Sequence, residues 1–202
     1  MSDERARLLE LLRTRSFARK RVVLASGRES DFFIDCKQTV LTAEGHALCG
    51  EILFDAVKKF APAAVAGVEL GGCPLASAVA LVSFQKGAPI DAIYVRKDAK
   101  DHGSRRDIEG NTTLAQGARV VLVEDVITTG GSTREVIDIV RKAGAMLAGV
   151  GSIVDRSNGT VSFDAKYFSV LRMEVVTYTP EACPLCKAGT AAVKPGSRGN
   201  RN

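Results

Sequence analysis

Residues 120–132 narrow the folds open to this chain more than any other stretch. Val120, Val121, Leu122 and Val123 are four apolar residues in a row, the mark of a strand buried on both faces. Glu124 and Asp125 follow at the expected carboxyl end of that strand. After Val126 and Ile127 come Thr128, Thr129, Gly130, Gly131 and Ser132, and then a helical spacing with Val136, Ile137 and Val140 on one face. Ser132 and Glu135 stand three residues apart, which predicts a capping box at the helix start. Backbone N–H groups at a helix amino terminus, with three hydroxyls beside them, form a cradle for a phosphate. Paired carboxylates next to such a cradle suit vicinal hydroxyls, which donate hydrogen bonds to them. The plainer alternative is an ordinary strand–turn–helix unit with a solvated acidic pair.

The rest of the chain repeats the strand–helix alternation. A short amphipathic helix is expected over 3–15, two short strands over 24–41 joined at 26–31, and a helix from the cap Thr42 to about Phe60. Strands follow at 63–67, 91–95, 147–154 and 170–176, with a turn at 69–72, a helix over 76–84 and Gly144 capping the helix after the central strand. This pattern means an α/β fold with a mostly parallel central sheet. At 202 residues the chain suffices for one domain with a full core. Residues 1–186 are read as that domain and 187–202 as a flexible basic tail.

The net charge of +5 does not point to nucleic acid. Lys187, Lys194, Arg198 and Arg201 sit in the acid-free tail, and the remainder carries 24 basic residues against 23 acidic ones. There is no Trp, and no aromatic residues interleave the basic clusters, so a stacking platform for single strands is not expected. No apolar run approaches the length of a membrane span, and the first residues lack signal character. The odd count of five cysteines, with no secretory signal, suggests reduced thiols in a cytoplasm. Cys183 and Cys186 form a single Cys-x-x-Cys, which reads as a structural turn, with a metal shared across a dimer as the alternative.

Two phosphate-binding alternatives fail on residues. A Walker B strand also ends in acids, but it needs a partner loop ending in Gly-Lys, and the chain has no such pair. A Gly-x-Gly-x-x-Gly turn is absent too. The stretch instead resembles the phosphoribosyl diphosphate (PRPP) signature of the type I phosphoribosyltransferases. Arg96, Lys97, Asp98, Ala99, Lys100, Asp101, His102 and Gly103 look very like the catalytic loop of one branch of that family, the orotate phosphoribosyltransferases. From Arg96 to Glu109 there are five basic and four acidic residues with little apolar anchorage, which reads as a solvated loop or as a lid. Ser26, Gly27 and Arg28, followed by Phe32 and Phe33, resemble the hood of the same branch, over about 1–41; an edge hairpin with core aromatics is the other reading.

The resemblance implies a type I phosphoribosyltransferase fold that converts orotate and PRPP to orotidine 5′-phosphate and diphosphate, with Mg²⁺ as cofactor. It implies catalytic roles for Lys100, His102 and Asp125. PRPP contacts would come from Arg96, Lys97, Lys100 and His102 and from Glu124, Asp125, Val126, Ile127, Thr128, Thr129, Gly130, Gly131 and Ser132. Orotate contacts would come from Thr128 and Arg156, and no residue is expected as a metal ligand. A homodimer whose lid completes the partner's site is implied as well. The alternatives are a purine-type phosphoribosyltransferase and a non-catalytic PRPP-binding regulator. The chain departs from better-known members at two places: Ala25 stands where a lysine precedes Ser-Gly-Arg, and Leu70 and Gly71 stand where a Tyr-Lys pair is found. Lys37 and Arg28 are the cations on hand to replace them.

Overall fold

The computed structural model describes residues 2–23, 29–96, 107–110, 114–174 and 187, with no side chain described from 18 to 33. Helix α1 (Asp3–Leu11) starts at Ser2, whose hydroxyl accepts from Arg5 N at 3.4 Å, and it buries Leu8 and Leu11. One π-helical turn, Leu12–Ser16, carries the chain into β1 (Phe17–Val23). Antiparallel to it runs β2 (Glu29–Ile34), with Phe17 opposite Ile34. The expected strand pair thus lies earlier than 24–41, because Lys37–Val40 is a short helix, α2. Asp35 diverts the chain there: its Oδ1 accepts from Lys37 N at 3.2 Å, a local bond that competes with a strand ladder. The basic run Arg19, Lys20 and Arg21 also hid β1 from a hydrophobic-pattern reading.

Thr42 caps α3 (Ala43–Val57) as expected, accepting from Gly45 N at 3.1 Å, and a 3-10 turn, Lys58–Phe60, ends the segment. The fully buried β3 (Ala64–Val68) leads through the 69–72 turn into α4 (Cys73–Gln85). That helix begins three residues earlier than predicted, because Pro74 suits a first helical turn. Then come β4 (Asp91–Val95), a short β5 (Ile108–Gly110) inside the charged segment, and β6 (Arg119–Ile127). Helix α5 (Gly131–Lys142) is followed by Gly144 at φ 86°, β7 (Met146–Asp155) and β8 (Lys166–Arg172). The last strand starts earlier than 170 because its alternation includes Tyr167 and Phe168.

Strands β3 to β8 form one sheet in the order β5-β4-β3-β6-β7-β8, parallel except for β5 against β4. Alternate residues of β6 feed two cores. Val121 and Val123 pack in the core that includes Leu8, Leu53 and Leu75, while Val120 and Leu122 pack in the one that includes Val136, Ile137 and Val140. Helices therefore cover both faces, which is why β6 reads as a continuous apolar run. From β3 the chain moves outward on one side to β4 and then crosses to β6 on the other. The carboxyl ends of β3 and β6 are thus a topological switch point, where the following loops diverge and leave a crevice.

Candidate active site

The crevice is lined from one side by the end of β6. Pairing with β3 stops at Gly67 opposite Val123, but pairing with β7 continues to Ile127 opposite Asp155. Glu124 and Asp125 therefore lie three and two residues before the end of the strand, past the last β3 pairing. Glu124 is buried, and its Oε1 accepts from Asp125 N at 3.2 Å. Asp125 is half-buried, and its Oδ1 accepts from Val126 N at 2.8 Å. Each carboxylate is thus fixed by backbone N–H and keeps lone pairs to offer to a ligand.

The other wall is the 69–72 turn. A Cβ added at Gly71 would run into the Asp125 carboxylate, and one at Gly72 into the Val123 carbonyl. Gly71 is therefore a close-approach glycine, and the turn sits directly on the acid pair. This explains one departure from the resembling family: a lysine at 71 requires Asp125 to move.

The stretch expected to cradle a phosphate falls at the start of α5, with a correction to its cap. Ser132 is inside the helix rather than capping it; the cap is Gly130, at φ 74°, and no side chain bonds there. The left-handed conformation turns the chain sharply enough that a Ser132 hydroxyl cap is not needed, and the first helical N–H groups stay uncovered by a capping side chain. Thr128, Thr129, Gly131 and Ser132 are exposed, and Gly130 is buried. Holding this loop is Arg134, which the sequence reading passed over. Its Nη1 donates to the Thr129 carbonyl at 2.8 Å and its Nη2 to the Ser162 carbonyl at 3.1 Å, with the guanidinium 5.5 Å from the Phe163 ring centroid. A cation in the first turn opposes the helix dipole, and that misfit was the available signal.

Arg156 comes off the end of β7, and its N–H donates to the Ile127 carbonyl at 2.8 Å, so it stands next to Thr128. Burial holds its guanidinium below the usual arginine pKa, against the opposing effect of the Cys36 thiol. Asp155 Oδ1 accepts from Ser157 N at 2.8 Å and sets this corner. The structure thus brings Glu124, Asp125, Thr128 to Ser132 and Arg156 around one crevice. Arg96 lies at its edge, 3.5 Å from Glu109 and 4.0 Å from Glu69, with its N–H donating to Asp107 O at 2.9 Å. That bond ties together the two ends of the charged loop. Lys97, Lys100 and His102 lie outside the described residues, as do Ala25, Arg28, Cys183 and Cys186.

Among the described residues the buried thiols are Cys36, Cys49 and Cys73. Burial pushes Cys49 up to about 12; burial, with Glu69 and Glu124 nearby, takes Cys73 to about 11. Both stay protonated near neutrality and are poor nucleophiles. Beside the crevice a cavity of about 400 Å³ is lined by Lys37, Leu41, His46, Leu70, Cys73, Pro74, Ser77 and Tyr94.

Comparisons with known proteins identify the family. A family profile described as phosphoribosyl transferase domain matches residues 39–182. The chain is 62% identical over 159 residues to an orotate phosphoribosyltransferase of Sorangium cellulosum, covering 78% of this chain and 83% of that protein. Among solved structures it resembles the orotate phosphoribosyltransferase of Mycobacterium tuberculosis in complex with Fe(III) dicitrate. That match has a TM-score of 0.71 at 37% identity and covers 84% of this chain and 97% of the other. The same enzyme in complex with PRPP matches with a TM-score of 0.67 at 34% identity, over 84% of this chain and 96% of that one.

Proposed function

The chain belongs to the phosphoribosyl transferase domain family, among its orotate phosphoribosyltransferases, and from that premise we propose how its own residues carry out the reaction. The enzyme is a pentosyltransferase of pyrimidine biosynthesis: it joins orotate to the ribose of PRPP, expels diphosphate and yields orotidine 5′-phosphate. One observation carries the residue assignment. At the switch point, a backbone-fixed acid pair and a helix start with no capping side chain stand within the same few residues.

Glu124 and Asp125 accept from the ribose hydroxyls, and the segment from Val126 through Ser132 wraps the 5′-phosphate. Arg156 meets the orotate carboxylate through its planar fork, with Thr128 beside the base. As the bond from ribose to diphosphate breaks, negative charge grows on the leaving oxygen while the sugar approaches an oxocarbenium ion. Lys100 and His102, with Arg96 and Lys97 at the root of the loop, stabilise that leaving group when the lid closes and excludes water. Among the described residues no three His, Cys, Asp or Glu side chains gather as a metal cage. Glu124 and Asp125 would be the carboxylates nearest to a Mg²⁺ that arrives with PRPP. Bound there, Mg²⁺ would supply charge neutralisation for the developing diphosphate.

The active unit in this reading is a homodimer in which each lid serves the partner's site. Its support is the exposed apolar surface of Leu70, Leu81 and Phe84, the last 75% exposed. Residues 1–41 form the hood, 187–202 the tail, and the compartment is cytoplasmic; no described helix is long and apolar enough to cross a membrane. The test is diphosphate release with Mg²⁺ and PRPP, offering orotate beside uracil and a panel of purine bases. Orotate alone should support turnover. Purine-dependent release would establish the purine alternative, and PRPP binding with no turnover on any base would establish the regulator.

A further inference from the structure

PRPP is a polyanion, yet the described walls of the crevice are rich in acids: Glu124 and Asp125 on β6, Glu69 in the turn, and Asp35 ahead of α2. The packing of Gly71 against Asp125 leaves no room for a cationic side chain in the turn at that position. Arg96 pairs with Glu109 at 3.5 Å and Glu69 at 4.0 Å, and Arg156 belongs to the far side, at the end of β7. With the ribose hydroxyls at Asp125 and the 5′-phosphate at Thr128 to Ser132, the diphosphate end of the donor must point the other way, toward the 69–72 turn.

Lys37 stands on that side. It lines the same cavity as Leu70 and Cys73, the residues that bracket the Gly71–Gly72 pair. Its mount is rigid: α2 is anchored by buried Thr39, whose Oγ1 donates to the Leu11 carbonyl at 3.2 Å and lies 2.7 Å from the Ser16 hydroxyl. The Nζ lies 2.8 Å from Asp35 Oδ1, the oxygen that also accepts from Lys37 N at 3.2 Å. Its side chain keeps 41% of its surface exposed, so a ligand can reach it. Next to it, Cys36 is fully buried.

We propose that Lys37 is the resident cation for the diphosphate end of PRPP, fixed by α2 and Asp35 across the 69–72 turn from Asp125, and that it acts in ground-state binding before the lid closes. The proposal rests on the reading of this crevice as the PRPP site. The electrostatics are consistent with it. Burial pulls the Lys37 ammonium down, but the bond to Asp35 and the field of Asp125 outweigh it, so its pKa is raised and the charge is held at any working pH. A fixed cation of this kind binds donor and transition state alike, and should lower KM without raising kcat.

The experiment compares Lys37→Ala, Lys37→Arg, Asp35→Asn and Asp125→Asn in the full-length enzyme. Each is measured for PRPP Kd by calorimetry without orotate, at low and raised ionic strength, and for steady-state kinetics. Lys37→Ala should raise PRPP Kd and KM by about tenfold, the usual effect of losing one charged contact. The salt dependence of PRPP binding should flatten, kcat should stay within about threefold, and orotate KM should not move. Lys37→Arg should retain binding, and Asp35→Asn, which removes the anchor but leaves the cation, should weaken it by less than Lys37→Ala does. Wild-type PRPP affinity in Lys37→Ala beside a clear loss in Asp125→Asn overturns the role of Lys37 and leaves the site reading standing. A loss in Lys37→Arg equal to that in Lys37→Ala would make Lys37 merely structural. Normal PRPP affinity in both Lys37→Ala and Asp125→Asn would remove the site reading as well.

Discussion

Arg134 and Arg156 show how far a single side chain can be read from its partners. Arg134 sits on a helix whose dipole disfavours it and spends its donors on two loop carbonyls, Thr129 and Ser162. It contributes geometry rather than charge to the cradle. Arg134→Ala should raise PRPP KM roughly tenfold, or about 1.4 kcal/mol, while orotate KM changes little. Arg134→Lys should rescue only part of this, because one ammonium cannot span two carbonyls as a fork does. Initial-rate kinetics on both substrates check this, and equal loss on the two would assign Arg134 to general folding. Arg156 differs in kind: it is half-buried, at a corner set by Asp155 and Ser157. Arg156→Ala should raise orotate KM far more than PRPP KM, since the carboxylate it is proposed to meet is on the base. Substantial turnover of uracil by the wild-type enzyme would contradict that pairing.

At the level of elements, the 69–72 turn and the charged loop divide the work of holding and of reacting. The turn is built to touch: with no Cβ at 71, it rests against the Asp125 carboxylate. Gly71→Ala should displace that carboxylate, costing PRPP affinity about as much as Asp125→Asn, roughly 1.5–3 kcal/mol. A calorimetric Kd equal to wild type would mean that the turn yields instead. The loop's part in the proposed reaction is chemical: between Arg96 and Glu109 its sequence is almost entirely polar and charged. Its ends are tied by the Arg96 N–H to the Asp107 carbonyl at 2.9 Å, and β5 sets the return. Lys100→Ala should therefore reduce kcat by roughly 10²–10³ with little change in PRPP affinity or in Tm. A large loss of ground-state binding would show that the loop holds substrate rather than the leaving charge.

For the whole molecule, the open question is assembly, and it is answerable. Leu81 and Phe84, both on α4, are 55% and 75% exposed, and Leu70 in the turn before that helix is 68% exposed. Leaving such side chains in water is unfavourable, and a symmetric partner would cover them. If the proposed homodimer forms, Phe84→Glu should give a monomer by light scattering and remove most activity, because each lid would then lack a partner site. Mixing Lys100→Ala with Asp125→Asn after verified subunit exchange should restore about a quarter of wild-type activity, given half mixed dimers with one intact site each. No recovery would mean that each loop serves its own subunit.

The sequence by itself determined the α/β class, the central strand and the family. Those signals are local: four apolar residues, two acids and a glycine turn impose their geometry on neighbours only a few bonds away. Thr42 as a helix cap and Gly144 as a terminator were legible for the same reason. It misplaced the first strand pair, because a side-chain bond from Asp35 diverts the chain into α2 and basic residues mask β1. It assigned the α5 cap to Ser132, where a left-handed Gly130 makes a side-chain cap unnecessary. What the tertiary structure alone decided is which distant segments meet. Strand order brings the 69–72 turn onto Asp125, a guanidinium joins Thr129 to Ser162, and α2 carries Lys37 to the cavity beside that turn. Contacts between residues so far apart in the chain depend on the packing of the sheet and its helices, which no local pattern encodes.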